Sequence, residues 1–325
     1  MDRRQLLQGA VVLGIALTTS AGVSSAADQS STVRIGYQKS STLIAILRSN
    51  GELEKGLAEL GIAVKWSEFS SGLPLLEALN VGAVDLSGDV ADTVPIFAQA
   101  AGAKLTYFAS EAPSPAAQAL LVQESSPIHS VAELKGKKVA VTKASGSHYL
   151  LIAALSKAGL KFSDIEPAYL TPADGRAAFE KGAVDAWVTW DPYVSATLKQ
   201  TQARVLADGA GIANYRRYYL ASTNFASSRP DVLRLVFAKL QKTGEWVRKN
   251  PEVAAQLLAP TWGLDSGVVS LANSHRSYEV RPVTLESLAE EQKIADVFFE
   301  QGGLPKRVDA ESAQIWSPDK QASVR

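Results

Sequence analysis

Ala78-Leu79-Asn80-Val81-Gly82-Ala83-Val84-Asp85 returns one hundred residues later as Ala178-Phe179-Glu180-Lys181-Gly182-Ala183-Val184-Asp185. In both copies a helical run stops at a glycine, the residue that accepts the left-handed backbone beyond a helix C-terminus, and Ala-Val-Asp starts a short strand. The likeness extends upstream. Strand-like Val33-Arg34-Ile35-Gly36-Tyr37 passes through Lys39-Ser40-Ser41-Thr42 into the apolar helical run Leu43-Ile44-Ala45-Ile46-Leu47. Lys138-Val139-Ala140-Val141 passes through Lys143-Ala144-Ser145-Gly146-Ser147 into Leu150-Leu151-Ile152-Ala153-Ala154-Leu155. Strands alternating with helices twice over predict two α/β lobes, each with a mostly parallel sheet. Helix punctuation agrees: Ser130-Val131-Ala132-Glu133 and Thr171-Pro172-Ala173-Asp174 have capping-box spacing, and Asn250-Pro251 sets a cap before a first-turn proline. After about Phe225 strand signals fade, and amphipathic runs at 232–247, 252–258 and 285–299 predict a helical C-terminal segment packed on lobe 1.

Composition narrows the classes. A chain of 325 residues is long for one core and comfortable for two. Hydrophobic residues make up 46% and charged residues 20%, with 33 basic against 33 acidic side chains, so no general attraction to nucleic acid or anionic lipid is expected. The absence of cysteine excludes disulfides, thiolate catalysis, cysteine zinc sites and iron–sulfur clusters. His129, His148 and His275 are far apart and show no HExxH spacing, so neither a metal nor another cofactor is expected. Residues 1–27 read as an export signal: Arg3-Arg4, an apolar run over 10–17, and small residues Ser24-Ser25-Ala26-Ala27 with cleavage near Ala26 or Ala27. Asp2-Arg3-Arg4-Gln5-Leu6-Leu7 also fits a twin-arginine signal, and the sequence leaves the Sec and twin-arginine routes both open. The expected divisions are 1–27 signal, 28–118 first part of lobe 1, 119–221 lobe 2, and 222–325 return to lobe 1 and C-terminal helices.

Ligands of open parallel sheets bind beyond the carboxyl ends of the strands. The repeat therefore nominates four segments. Gln38-Lys39-Ser40-Ser41-Thr42 and Lys143-Ala144-Ser145-Gly146-Ser147-His148 bring hydroxyl residues to helix N-termini, where free N–H groups favour an anion; simple capping is the alternative role. Ser87-Gly88-Asp89-Val90-Ala91-Asp92-Thr93 and Thr189-Trp190-Asp191-Pro192-Tyr193 are read as loops after the Ala-Val-Asp strands. The second adds aromatic surface for a ligand with an organic body and a polar head. His148 reads as a polar wall or hydrogen-bond donor, since no nucleophile and orienting partner accompany it. Tyr215-Arg216-Arg217-Tyr218-Tyr219 reads as a solvated face, with an anion contact as the other reading. Trp66, Trp187, Trp246 and Trp262 are assigned to structure.

Together with the segments above, Gly36-Tyr37-Gln38-Lys39, Leu76-Glu77-Ala78-Leu79-Asn80-Val81-Gly82, Pro95-Ile96-Phe97-Ala98-Gln99-Ala100-Ala101-Gly102-Ala103, Tyr169-Leu170-Thr171-Pro172-Ala173-Asp174-Gly175-Arg176 and Asp185-Ala186-Trp187-Val188-Thr189-Trp190-Asp191-Pro192-Tyr193 carry a resemblance. Over residues 33–316 the chain resembles the aliphatic sulfonate-binding proteins of bacterial ABC importers. The resemblance implies a type II, Venus-flytrap periplasmic binding protein whose lobes close on the ligand about hinge strands near 117–122 and 220–225. It implies a monomer that captures a small organic sulfonate for sulfur acquisition and delivers it to an inner-membrane permease driven by a cytoplasmic ATPase. By position, Gln38, Ser40 and Ser41 match the first-lobe turn lining that family's cleft; Ser145, Ser147 and His148 match the second-lobe turn, and Trp190, Asp191 and Tyr193 its aromatic loop. The departure is at Ser87 to Thr93, one residue longer than in the best-known members and carrying Asp89 and Asp92, whose charge would repel an anion unless satisfied. Asp89, Asp92 and Thr93 complete the candidate set. Taurine, nitrate, a sulfate ester or a pyrimidine precursor remain as other ligands, and a secreted enzyme using His148 or Asp191 as the other class. No GxSxG elbow or GxGxxG in strand context supports catalysis.

Overall fold

The structure is a computed structural model and describes residues 32–319. The export-signal reading of residues 1–27 lies outside the described residues.

Two sheets form the framework. In the first, Ala63–Phe69, Thr32–Gln38, Leu86–Ala91, Arg217–Ser222, Leu105–Glu111 and Val280–Arg281 lie side by side in that order, and Gln314–Ile315 also pairs with Leu105–Glu111. In the second the order is Glu166–Tyr169, Lys138–Val141, Ala186–Trp190, Gln118–Gln123, Ala203–Asp208. Each sheet has the same departure from parallel order. Arg217–Ser222 runs antiparallel to both neighbours in the first sheet, and Gln118–Gln123 does so in the second. These are the strands by which the chain enters a sheet from the other lobe, so each crossing supplies an antiparallel strand; the short edge strand Val280–Arg281 also runs antiparallel, to Leu105–Glu111. The chain has rejoined the first sheet by Arg217, ahead of the division expected at 221/222.

The repeated Gly-Ala-Val-Asp has one structural role in both lobes. Gly82 and Gly182 take φ of 72° and 67°, the left-handed geometry that ends a helix without a Cβ penalty. Asp85 and Asp185 each accept a backbone N–H from the strand that opens the repeat, that of Arg34 and that of Lys138, both at 2.8 Å. Their own N–H groups return bonds to the Arg34 and Lys138 carbonyls, also at 2.8 Å. The motif thus ties the strand it introduces, Leu86–Ala91 or Ala186–Trp190, to the strand that opens its repeat, Thr32–Gln38 or Lys138–Val141.

The C-terminal helices Pro230–Lys249, Pro251–Trp262 and Ser266–Ser274 contribute Leu233, Val236, Leu240, Leu258, Trp262 and Val269 to the core beneath the first sheet. Helix Leu285–Glu300 bridges the lobes: Phe298 packs with Ile96 on one side and Ile152 on the other. Asn250 separates two helices as expected, yet its side chain donates to the Trp246 carbonyl at 2.9 Å, closing the earlier helix instead of capping the later one. Among the described residues no helix is long and apolar enough to cross a membrane.

Candidate functional site

The lobes meet over the carboxyl ends of their strands, at a cavity lined by Gln38, Gly72, Ala91, Val94 and Arg217 of the first lobe and Ser145, Gly146 and Trp190 of the second, with Tyr215 from the crossing segment. It measures about 10 Å³, room for a single water, so the cleft is shut. Gly146 shows how close the lobes are: a Cβ there would stand 2.5 Å from the Tyr215 ring and 3.0 Å from the Ala91 Cβ.

A charge cluster stands on the first-lobe side. Asp89 is wholly buried and lies against the guanidinium of Arg217, while Arg276 Nη2 donates to Asp89 Oδ2 at 3.0 Å and to Glu111 Oε2 at 2.6 Å. Arg217 also donates to Ser40 Oγ at 3.3 Å, to the Asp89 carbonyl at 3.1 Å and, through Nη1, to the Tyr215 hydroxyl at 2.8 Å. Burial alone would raise the Asp89 carboxyl; Arg217 and Arg276 outweigh it and hold the group below its ordinary value. Two acids and two arginines balance, and Arg217 also lines the cavity. The repulsion raised by Asp89 is thereby answered inside the fold.

The turn Gln38-Lys39-Ser40-Ser41 is organised for this cluster. Gln38 Nε2 donates to the Asp89 carbonyl at 3.0 Å, and the Ser40 carbonyl accepts from Arg276 at 2.7 Å. Ser41 precedes helix Thr42–Asn50 but its Oγ accepts from the Gln38 N–H at 3.2 Å, bracing the turn and not the helix. In the second lobe Ser145 does cap helix Gly146–Lys157, accepting from the His148 N–H at 3.2 Å. Among the described residues three that are not glycine have left-handed backbones: Tyr215, which lines the cavity, Ala144, which precedes Ser145, and Tyr278, whose ring lies under the Arg276 guanidinium. Such strain costs on the order of 1–3 kcal/mol each and persists where surrounding contacts over-determine it.

The chain belongs to a known family, as comparison with other proteins shows. The profile described as NMT1/THI5 like matches residues 54–254. A protein of Escherichia coli K12 named for binding aliphatic sulfonates is 47% identical over 287 residues, 88% of this chain and 89% of that protein. This chain is a member of the aliphatic sulfonate-binding protein family. The crystal structure of the periplasmic aliphatic sulphonate binding protein SsuA from E. coli superposes with a TM-score of 0.79 at 45% identity, covering 87% of this chain and 97% of that one. The alkanesulfonate-binding protein SsuA from Xanthomonas axonopodis pv. citri, bound to MOPS, gives 0.83 at 38% identity, covering 88% and 98%.

In the structure the residues expected from sequence fall into two groups. Gln38, Ser145 and Trp190 line the cavity, and Ser40, Ser41 and Asp89 form the layer behind it. The others do not face it. Leu86–Ala91 is a fully buried strand and no loop, so Asp92 begins helix Thr93–Ala100: its carboxylate accepts from the Thr93 and Arg216 N–H groups, both at 3.0 Å. Burial pushes the Asp92 carboxyl up to about 6. His148 is corrected from a cleft wall to a packed ring among Phe162, Tyr169 and Phe298, its Nδ1 accepting from the Ala144 N–H at 3.3 Å. Burial, then the charge of Lys143, lowers it to about 4. Asp191 has no free oxygen: Oδ1 accepts from Ser195 N and Oγ at 2.9 and 2.6 Å, and Oδ2 meets His275 Nδ1 at 2.6 Å. Tyr193 packs edge-on to Trp187 and Trp190, supporting the cavity's tryptophan.

Sequence reading missed Arg276 and Gln118, and holds Arg217 only as the less favoured anion contact. The Tyr-Arg-Arg-Tyr-Tyr cluster is no solvated face: Arg217, Tyr218 and Tyr219 are all buried. Gln118 pairs with Trp190 in the ladder, is wholly buried, and neither end of its amide has a hydrogen-bond partner; Ser147 Oγ is in the same condition. Buried polar groups are normally satisfied, so the two stand out: Gln118 is paired with the cavity's Trp190, and Ser147 lies two residues beyond Ser145 in the helix that Ser145 caps.

Proposed function

We propose that the chain is the periplasmic solute-binding component of an ABC importer and holds an aliphatic sulfonate in the interlobe cleft. One observation carries the reading: a buried guanidinium, Arg217, and a buried indole, Trp190, line one cavity from opposite lobes. Arg217 would take the sulfonate oxygens, aided by the N-terminal N–H groups of helix Gly146–Lys157, and Trp190, Val94 and Ala91 would cover the alkyl tail. Because the Asp89–Glu111–Arg217–Arg276 set is already balanced, the ligand charge is met by the guanidinium edge and the helix dipole and needs no further cation. Gln118 and Ser147, unsatisfied and close by, would supply additional donors. An inorganic anion would leave Trp190 and Val94 without a task.

The ligand enters when the lobes part about the crossing segments and is enclosed when they close, which removes water and strengthens each hydrogen bond. The closed outer surface, built from both lobes, is what a permease would read. Export of a monomer across the inner membrane would follow from the N-terminal signal. Binding and not catalysis fits the geometry, since the groups an enzyme would use are committed: His148 sits in an aromatic box and Asp191 is saturated.

Tryptophan fluorescence tests the reading. Of the six tryptophans only Trp190 lines the cavity. Butanesulfonate should change the emission of the wild type and leave Trp190→Phe unchanged although that variant still binds by calorimetry. An undiminished change in Trp190→Phe would place the ligand elsewhere.

A further inference from the structure

His275 directly follows the helix Ser266–Ser274, which packs into the first-lobe core through Val269. Asp191 directly follows the second-lobe strand Ala186–Trp190. Their side chains meet across the seam at 2.6 Å, with the Asp191 side chain 3% exposed and that of His275 23% exposed. Each has a site residue as its neighbour. Trp190 lines the cavity, and Arg276 fixes Ser40, Asp89 and Glu111. Ser195 immobilises Asp191 on its own lobe through Oδ1, so only Oδ2 reaches across.

We infer that His275 is a positioning residue for ligand capture: its protonated ring clasps Asp191 when the lobes close, and closure on the ligand therefore takes up a proton from solvent. The inference rests on the cleft reading above. The ionised groups facing the ring are Asp191 and, further off, Asp208, both from the second lobe; Arg276 turns away into Asp89 and Glu111. The hydrogen bond to Asp191 raises His275 above its ordinary value against the lowering effect of burial. With the lobes apart that partner is lost, and the ring returns toward an ordinary histidine near ~6.5. The closed form thus binds the proton more tightly. Its advantage is complete below the open-form value and is lost as pH rises through the raised one. An alkanesulfonate stays anionic throughout, so the ligand adds no titration of its own.

The test is calorimetric titration of the mature protein with butanesulfonate at pH 7 in two buffers of different ionisation enthalpy, repeated from pH 6 to 8.5. The wild type should take up a fraction of a proton per ligand bound and lose affinity by up to about tenfold across the range, the weight of one charge-assisted hydrogen bond at a partly exposed position. His275→Gln should show no uptake and a flat profile at the weaker affinity, and His129→Gln should behave as wild type. The wild-type uptake alone decides the matter should His275→Gln fail to fold. Tight binding with no uptake and a flat wild-type profile would overturn the clasp while leaving the cleft reading in place. Absence of sulfonate binding by the wild type would overturn the cleft reading and this inference with it.

Discussion

Replacing Arg217 by methionine removes one of two cations from a buried set of four charges. Asp89 and Glu111 would then face Arg276 alone, and one carboxylate must take a proton or remain uncompensated at a position with no solvent access. Breaking a buried pair by deleting one partner costs about 3–5 kcal/mol, whereas removing both partners is often near neutral. At about 2–3 °C per kcal/mol for a chain of this size, Arg217→Met should melt roughly 6–15 °C below wild type. Asp89→Asn alone leaves Arg217 unpaired and should also lose stability. The double variant restores the balance through Arg276 and Glu111 and should recover most of the loss, giving a coupling of about 2–4 kcal/mol in a double-mutant cycle. Urea unfolding of the four proteins at pH 7 measures it. The double variant, though stable, should no longer bind butanesulfonate. Additive losses, with coupling within about 0.5 kcal/mol, would refute the claim that these groups act as one neutral unit.

Other outcomes follow from the same geometry. Gly146→Ala should fold normally but weaken ligand binding by about tenfold or more, because its Cβ would strike Tyr215 only when the lobes are shut; small-angle scattering with and without butanesulfonate reads the hindered closure. His148, held neutral to about 4 while an unfolded histidine protonates near ~6.5, stabilises the fold above that window and ceases to do so as pH falls through it. Acidification from pH 7 to 4 should therefore cost wild type about 3 kcal/mol that His148→Phe does not lose, measured by urea unfolding at both values. Asp185→Ala should lose about 1 kcal/mol and Asp85→Ala about 2, since Asp85 also holds the Arg34 guanidinium; equal losses would assign no weight to that ion pair.

The duplicated framework was legible because backbone geometry demands particular residues at its joints. Only glycine ends those helices cheaply with φ near 70°, and only a short acid at residues 85 and 185 reaches back to the first strand. Strands Val280–Arg281 and Gln314–Ile315 escaped notice because two residues cannot show a period. Ser87-Gly88-Asp89 reads as a loop because its polar side chains break the apolar run of a buried strand, and what makes that burial tolerable lies far away in the chain. Arg217 is 128 residues from Asp89 and Arg276 is 187, and no local pattern reports such a pairing. The Asp191–His275 contact, 84 residues apart, is hidden for the same reason.

The central claim is that a sulfonate with an organic tail binds between the lobes. Isothermal titration of ligand-stripped mature protein with butanesulfonate, with sulfate and nitrate as comparators, tests it most directly. One site per chain for butanesulfonate, abolished in the stable Arg217→Met/Asp89→Asn protein and far tighter than for sulfate or nitrate, is the predicted result. Sulfate or nitrate binding as tightly as butanesulfonate, or butanesulfonate binding unaffected by the double substitution, would contradict it.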